Sequence, residues 1–178
     1  MKRVASIGVL ALLAGCVTMQ PQEVEYKLLS SFDAEFAKTQ IAQGDGEING
    51  TAFLRQQGGG VVTCAGQDVH MTPVTQYASD RLFRIYGTAP AVGHTVGSDI
   101  REALRVRIKF VPDFPEYKEY SRATKCDAQG EFRFENVKDG DYYISTPVVW
   151  QVGAHQGGFL ATRVKVENGK TPRVIMTR

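Results

Sequence analysis

Carboxylates crowd the stretch from Cys126 to Ile144, CDAQGEFRFENVKDGDYYI, where an acidic cation loop is the first chemistry to consider. A calcium loop needs several oxygen ligands at alternating positions and a late bidentate glutamate. Asp127, Gln129 and Glu131 supply part of that alternation, but the bulky Phe132 and Phe134 follow at once, so no metal is expected here. The histidines are His70, His94 and His155, and none has a histidine or carboxylate three or four positions on, the spacing of a helical zinc motif. The Gly-x-Ser-x-Gly elbow of a serine hydrolase does not occur. Gly44-Asp45-Gly46 and Gly58-Gly59-Gly60 lack the strand-to-helix setting of a phosphate loop and read as turns. No catalytic residue, metal site or cofactor is therefore expected. Aromatics are the remaining candidates: Trp150, Tyr142 and Tyr143 suit stacking on sugar rings if exposed, although Trp150 lies in an apolar strand and is expected in the core.

These residues depend on a scaffold whose pattern is mostly that of strands. Phe132 and Phe134 alternate with Glu131, Arg133 and Glu135, and Tyr142 and Ile144 with Tyr143 and Ser145. Val148 to Val152 continue this series, as do Val164 and Val166, and then Val174 and Met176. Asp127 to Gly130 and Asn136 to Gly140 have turn chemistry, so the quoted stretch reads as turn, strand, turn, strand with its charges on the wet face. Earlier strands are expected at Ile48–Leu54, Val61–Cys64, Asp68–Val74 and Val106–Phe110, with Pro73 at a strand end or edge because it cannot donate to a ladder. Val24, Leu28, Phe32 and Phe36 recur every four positions and predict a short N-terminal helix, an extended lead-in strand being the alternative. Tyr77–Tyr86 predicts a second short helix capped at Ser79, and residues 87–103 read as a loop. Short strands with turns every 8 to 12 residues predict an all-β antiparallel sandwich.

The N-terminus adds an address. Lys2 and Arg3 precede an apolar run from Val4 to Ala14, too short for a permanent span but suited to a secretory signal. Leu13-Ala14-Gly15-Cys16 resembles a bacterial lipobox, which implies cleavage after residue 15, lipid on Cys16 and a tether over residues 16–23. Val17 after the cysteine, where Asp would retain the protein, implies sorting to the outer membrane, on its periplasmic face. Loss of Lys2 and Arg3 takes the 21 basic residues to 19, equal to the 19 acidic ones. No basic patch follows, so nucleic acid is not an expected partner, and membrane attachment is expected from acyl chains. With Cys16 acylated, Cys64 and Cys126 remain as an even pair in an oxidising compartment, either as a disulfide or as two buried thiols.

Asp127, Gly130, Phe132, Phe134, Val137, Gly140, Tyr142 and Ile144 together resemble the carboxypeptidase regulatory-like domain, a transthyretin-like (Ig-like) β-sandwich. Gly46–Ala52 is similar to that family's first strand and Asp68–Pro73 to its second, so the resemblance covers about residues 46–74 and 120–178. It implies a single domain over residues 24–178, a long loop insertion at about 75–119, and a non-catalytic module that packs on proteins or binds glycans. The transthyretin-like hydroxyisourate hydrolase carries active-site residues in a Tyr-Arg-Gly-Ser tail, and Val174-Ile175-Met176-Thr177-Arg178 departs from it. The expectation is a lipid-anchored binding or structural module of the envelope with a protein or glycan partner. A glycan- or peptidoglycan-binding module and an outer-membrane lipoprotein of a secretion apparatus are the alternatives. The insertion is the expected contact surface, so deleting 87–103 is expected to leave melting nearly intact.

Overall fold

The computed structural model describes residues 20–178. Cys16 and the expected signal segment lie outside the described residues. The chain runs β1 (Gln22–Lys27), α1 (Ala34–Ile41), β2 (Gln43–Arg55), β3 (Val61–Thr63), β4 (Asp68–Pro73), α2 (Gln76–Tyr86), β5 (Val96–Asp99) and α3 (Ile100–Arg105). It continues with β6 (Val106–Val111), α4 (Glu116–Glu119), β7 (Arg122–Lys125), β8 (Glu131–Val137), β9 (Gly140–Val152), β10 (Ala154–Val166) and β11 (Val174–Met176).

Two sheets form the expected all-β sandwich. One is antiparallel, in the order β5-β10-β9-β4-β7. The other is built on the long strand β2, which pairs antiparallel with β3 and β8 and parallel with β11. The edge of β2 passes from β8 to β3 at Ala52, whose amide donates to the Gly130 carbonyl and whose carbonyl accepts from the Cys64 amide. Alternation sends Ile48, Phe132, Phe134, Val69, Met71, Tyr142, Ile144, Leu160 and Met176 into one core between the sheets. Each of these side chains contributes about 1.5–3 kcal/mol on burial.

The disulfide expected between Cys64 and Cys126 is present, with the two Cα atoms 5.7 Å apart. Cys64 directly follows β3 and Cys126 directly follows β7, so the bridge ties one sheet to the other. The same two edges are laced by Arg122 of β7, whose guanidinium donates to the carbonyls of Glu135 and Asn136 on β8. A second tie is the Tyr142 hydroxyl. It donates to the Lys138 carbonyl at 2.7 Å and accepts from Gln40 Nε2 of α1 at 2.8 Å, a corner that fixes the β8–β9 turn and seats α1.

Tyr143, beside Tyr142, points to the other face of the sheet, where it is buried under Ala78 and Leu82 of α2 and bonds Ser79 Oγ at 2.9 Å. Around α2 gathers a second apolar cluster. The ring of Tyr77 lies 5.7 Å from Phe32, 5.2 Å from Phe114 and 5.6 Å from Tyr117. Arg81 stacks its guanidinium over Phe110 and Tyr117, at 4.1 and 4.6 Å from the ring centroids.

Three expectations are corrected. The N-terminal helix is a strand, β1, followed by a helix that starts later. Val24 and Tyr26 alternate inward and β1 pairs in parallel with β6, while Asp33 caps α1 by accepting from the Phe36 amide at 2.9 Å. The fourfold spacing of Val24, Leu28, Phe32 and Phe36 thus spans a strand, a bend and a helix, and Phe36 ends up exposed. The cap of α2 is Thr75, whose Oγ1 accepts from the Ala78 amide, and Ser79 instead bonds back to the Thr75 carbonyl. The segment 75–119 is no loop insertion: it carries α2, β5, α3, β6 and α4.

Since β5 forms the edge of the larger sheet and buries Val96, with Ile100 buried just after it, the expectation of nearly intact melting is reversed: deletion of 87–103 should lower the melting temperature and broaden the transition in a calorimetric scan. Replacing Cys64 and Cys126 by serine releases a constraint spanning 62 residues, worth about 4 kcal/mol by chain entropy. Urea unfolding of the double variant should show a midpoint shift corresponding to about 2–5 kcal/mol.

Candidate functional site

At one end of the sandwich the β2–β3 turn, the β9–β10 hairpin tip and the β5–α3 junction surround a cleft of about 410 Å³. Its aromatic wall is Trp150, near the end of β9. The indole is half-buried, packing against the sandwich core and lining the cleft as well. Its position is set by the ladder: Trp150 stands opposite Gln156 across β9 and β10, and its Nε1–H donates to Gln156 Oε1 at 3.1 Å. Next to Gln156, Gly157 has φ +99°, and a Cβ there would lie 2.1 Å from the Val148 carbonyl oxygen and 2.9 Å from Trp150 Cζ3. Glycine at 157 is what lets the ladder continue beneath the indole.

Polar and charged side chains complete the cleft. The β2–β3 turn brings Arg55, Gln56 and Gln57, and the hairpin brings His155. Asp99, which caps α3, accepts from the Arg101 amide at 2.8 Å and from its guanidinium through Nε at 3.1 Å and Nη2 at 2.8 Å. This side-chain pairing, and then the amide bond, hold the Asp99 carboxyl at about 2 against an ordinary 3.8. Arg178 reaches in along β5 and donates Nη1–H to the Gly97 carbonyl at 3.1 Å. The cleft thus combines an aromatic face with planar donors and acceptors, the equipment for holding a hydroxylated ring.

The acidic stretch from Cys126 to Ile144 is scaffold. Asp127 Oδ1 accepts from the amides of Gln129 and Glu131 at 2.9 and 2.8 Å, so its carboxylate closes the turn before β8. Glu131 pairs with Arg173 across the surface. Among the described residues no group of three or more His, Cys, Asp or Glu is placed to hold a metal ion. His70, His94 and His155 are all exposed, and only His155 belongs to the cleft. Of the three aromatics weighed for stacking, Tyr142 and Tyr143 are buried and unavailable. Trp150 is partly in the core, as its apolar strand implied, and partly in the cleft. The sequence reading missed Arg55, Gln56, Gln57, Asp99, Arg101 and Arg178. Residues 56 and 57 fall between an expected strand and the Gly58-Gly59-Gly60 turn, and 99 and 101 in the segment that reads as a loop, with nothing to bring them to Trp150. The one available signal was the polar, glycine-rich surround of the only tryptophan, Gln151, Gly153, Gln156, Gly157 and Gly158.

No protein-family model and no curated protein matches the chain. A solved structure does. A proposed carbohydrate-binding protein from Pseudomonas aeruginosa shares the fold. Its crystal structure superposes with a TM-score of 0.61 at 25% identity, over 82% of this chain and 94% of that one.

Two measurements test this geometry. Gly157→Val is expected to destabilise the hairpin and displace the indole. Because Trp150 is the only tryptophan, its fluorescence should shift red and become more accessible to acrylamide. The Asp99–Arg101 pairing stabilises the fold above about pH 4, the carboxyl's unfolded range, and this stabilisation is lost as pH falls towards about 2. The melting difference between the parent chain and Asp99→Asn should therefore be present at neutral pH and vanish across that window.

Proposed function

We propose that this chain is a non-catalytic saccharide-binding β-sandwich of the bacterial envelope, anchored by lipid on Cys16 to the periplasmic face of the outer membrane. The observation that carries the binding assignment is the placement of Trp150, the chain's only tryptophan, as the aromatic wall of a cleft whose rim is mostly planar polar side chains, with Leu54 and Ala154 beside them. The apolar C–H face of a sugar stacks on an indole, while its hydroxyls need donors and acceptors around the rim. Gln56, Gln57, Gln156 and His155 offer both kinds. The fold shared with a proposed carbohydrate-binding protein supports the same assignment. Lys2, Arg3, the apolar run and Leu13-Ala14-Gly15-Cys16 support the anchor. Among the described residues no helix is long and apolar enough to cross a membrane. The resemblance of Leu13-Ala14-Gly15-Cys16 to a lipobox is what makes acyl chains, palmitate among them, the proposed attachment.

One ring platform with a few hydrogen bonds gives affinities in about the millimolar to micromolar range. Titration with peptidoglycan fragments and soluble polysaccharides should shift the tryptophan emission saturably. Trp150→Ala should abolish binding measured by calorimetry, while Tyr143→Phe, on the far side of the sheet under α2, should leave it unchanged. Absence of binding to every saccharide tested would reject the assignment. The anchor is tested separately: the parent chain should fractionate with outer membrane and Cys16→Ser should be released to the soluble fraction.

A further inference from the structure

The charge around the cleft is uneven. Arg55, Arg101 and Arg178 line it together with a single carboxylate, Asp99. Among these four side chains two positive charges are in excess. Asp99 is bonded to the amide and guanidinium of Arg101 and acts on Arg178 only through space, so neither Arg55 nor Arg178 spends a donor on it. Arg178 spends one N–H on the Gly97 carbonyl and keeps the rest of its fork. Arg55 is exposed and has no ion-pair partner among the described residues.

Two guanidinium groups at one aromatic cleft disfavour a neutral occupant. A ligand that covers them strips water from unpaired charge, which costs free energy unless the ligand returns a counter-charge. A guanidinium fork matches a carboxylate in a planar, two-pronged way. In a hexuronic acid the carboxylate is borne on the rim of the ring. A ring stacked on Trp150 therefore directs it sideways, towards the cleft's margin. We propose that the cleft selects carboxylate-bearing saccharides of the uronate class, with Trp150 under the ring and Arg55 and Arg178 receiving the carboxylate. This inference rests on the saccharide-binding assignment above and narrows it to an acidic sugar.

The test uses the full chain and two matched probes, a trigalacturonate and the same trisaccharide with its carboxyl groups reduced to alcohols. Calorimetric titration at about 50 mM salt should give about tenfold tighter binding of the acid form, and the advantage should shrink at about 500 mM salt as screening grows. Arg55→Gln and Arg178→Gln should each reduce the acid-to-neutral affinity ratio towards one. Both side chains are exposed, so unchanged melting curves will show that the variants fold. Equal affinity for the two probes, or a ratio indifferent to both arginine variants, would overturn the inference while leaving saccharide binding intact. No heat and no tryptophan response with either probe would overturn the inference, and if the wider saccharide panel were also silent the binding assignment would fall with it.

Discussion

A slip of β9 by one residue against β10 would exchange Tyr142 with Tyr143, and most of the molecule would lose its footing. The period of a strand is two, so register decides which face each side chain meets. In the observed register the two strands pair continuously from Gly140 opposite Val166 to Val152 opposite Ala154. Tyr142 then enters the core and ties the β8–β9 turn to α1, while Tyr143 meets α2 on the opposite face. The same register, carried eight residues further, sets Trp150 opposite Gln156 beside the cleft. One ladder therefore positions the core, the helical layer and the candidate site.

The edges of the sheets are handled by length and by cross-links. β5, β7, β3 and β11 are only three or four residues long, which limits the unpaired backbone offered to another chain. On the β7–β8 side the gap between the sheets is spanned by the disulfide and by Arg122. The cleft lies at the end where the loops of both sheets remain unlinked by covalent bonds. Rigidity and contact surface are thus kept apart: the bridge stiffens the frame, and the hairpin tips supply side chains.

Most of the frame was legible in the sequence because alternation is a local signal. Phe132, Phe134, Tyr142, Ile144, Val164 and Val166 announced their strands, while counting cysteines with Cys16 set aside left Cys64 and Cys126 as a disulfide or two buried thiols, and the fold brings them together as the disulfide. The N-terminal segment misled because Val24 and Leu28 fit a helical period while belonging to a strand and the bend after it, a distinction made only by β6, more than eighty residues away. Residues 87–103 misled for a related reason: β5 is four residues of Val-Gly-Ser-Asp, a weak strand in isolation that exists because β10 offers it an edge. The cleft was least visible, since it is a meeting of turns, and turn residues do not reveal which other turns they will face.

The cleft is assembled from Arg55 to Gln57, Asp99 to Arg101, Trp150 to Gly157, and Arg178, segments widely separated along the chain. No proteolytic fragment carrying one or two of them presents the same surface. Whatever occupies the cleft therefore recognises only the completed fold and acts as a brake on its opening: a ligand at a hundred times its Kd adds about 2.7 kcal/mol to the free energy of unfolding. Occupancy and endurance are then one property, and a chain exposed to proteases survives longest where such an occupant is abundant.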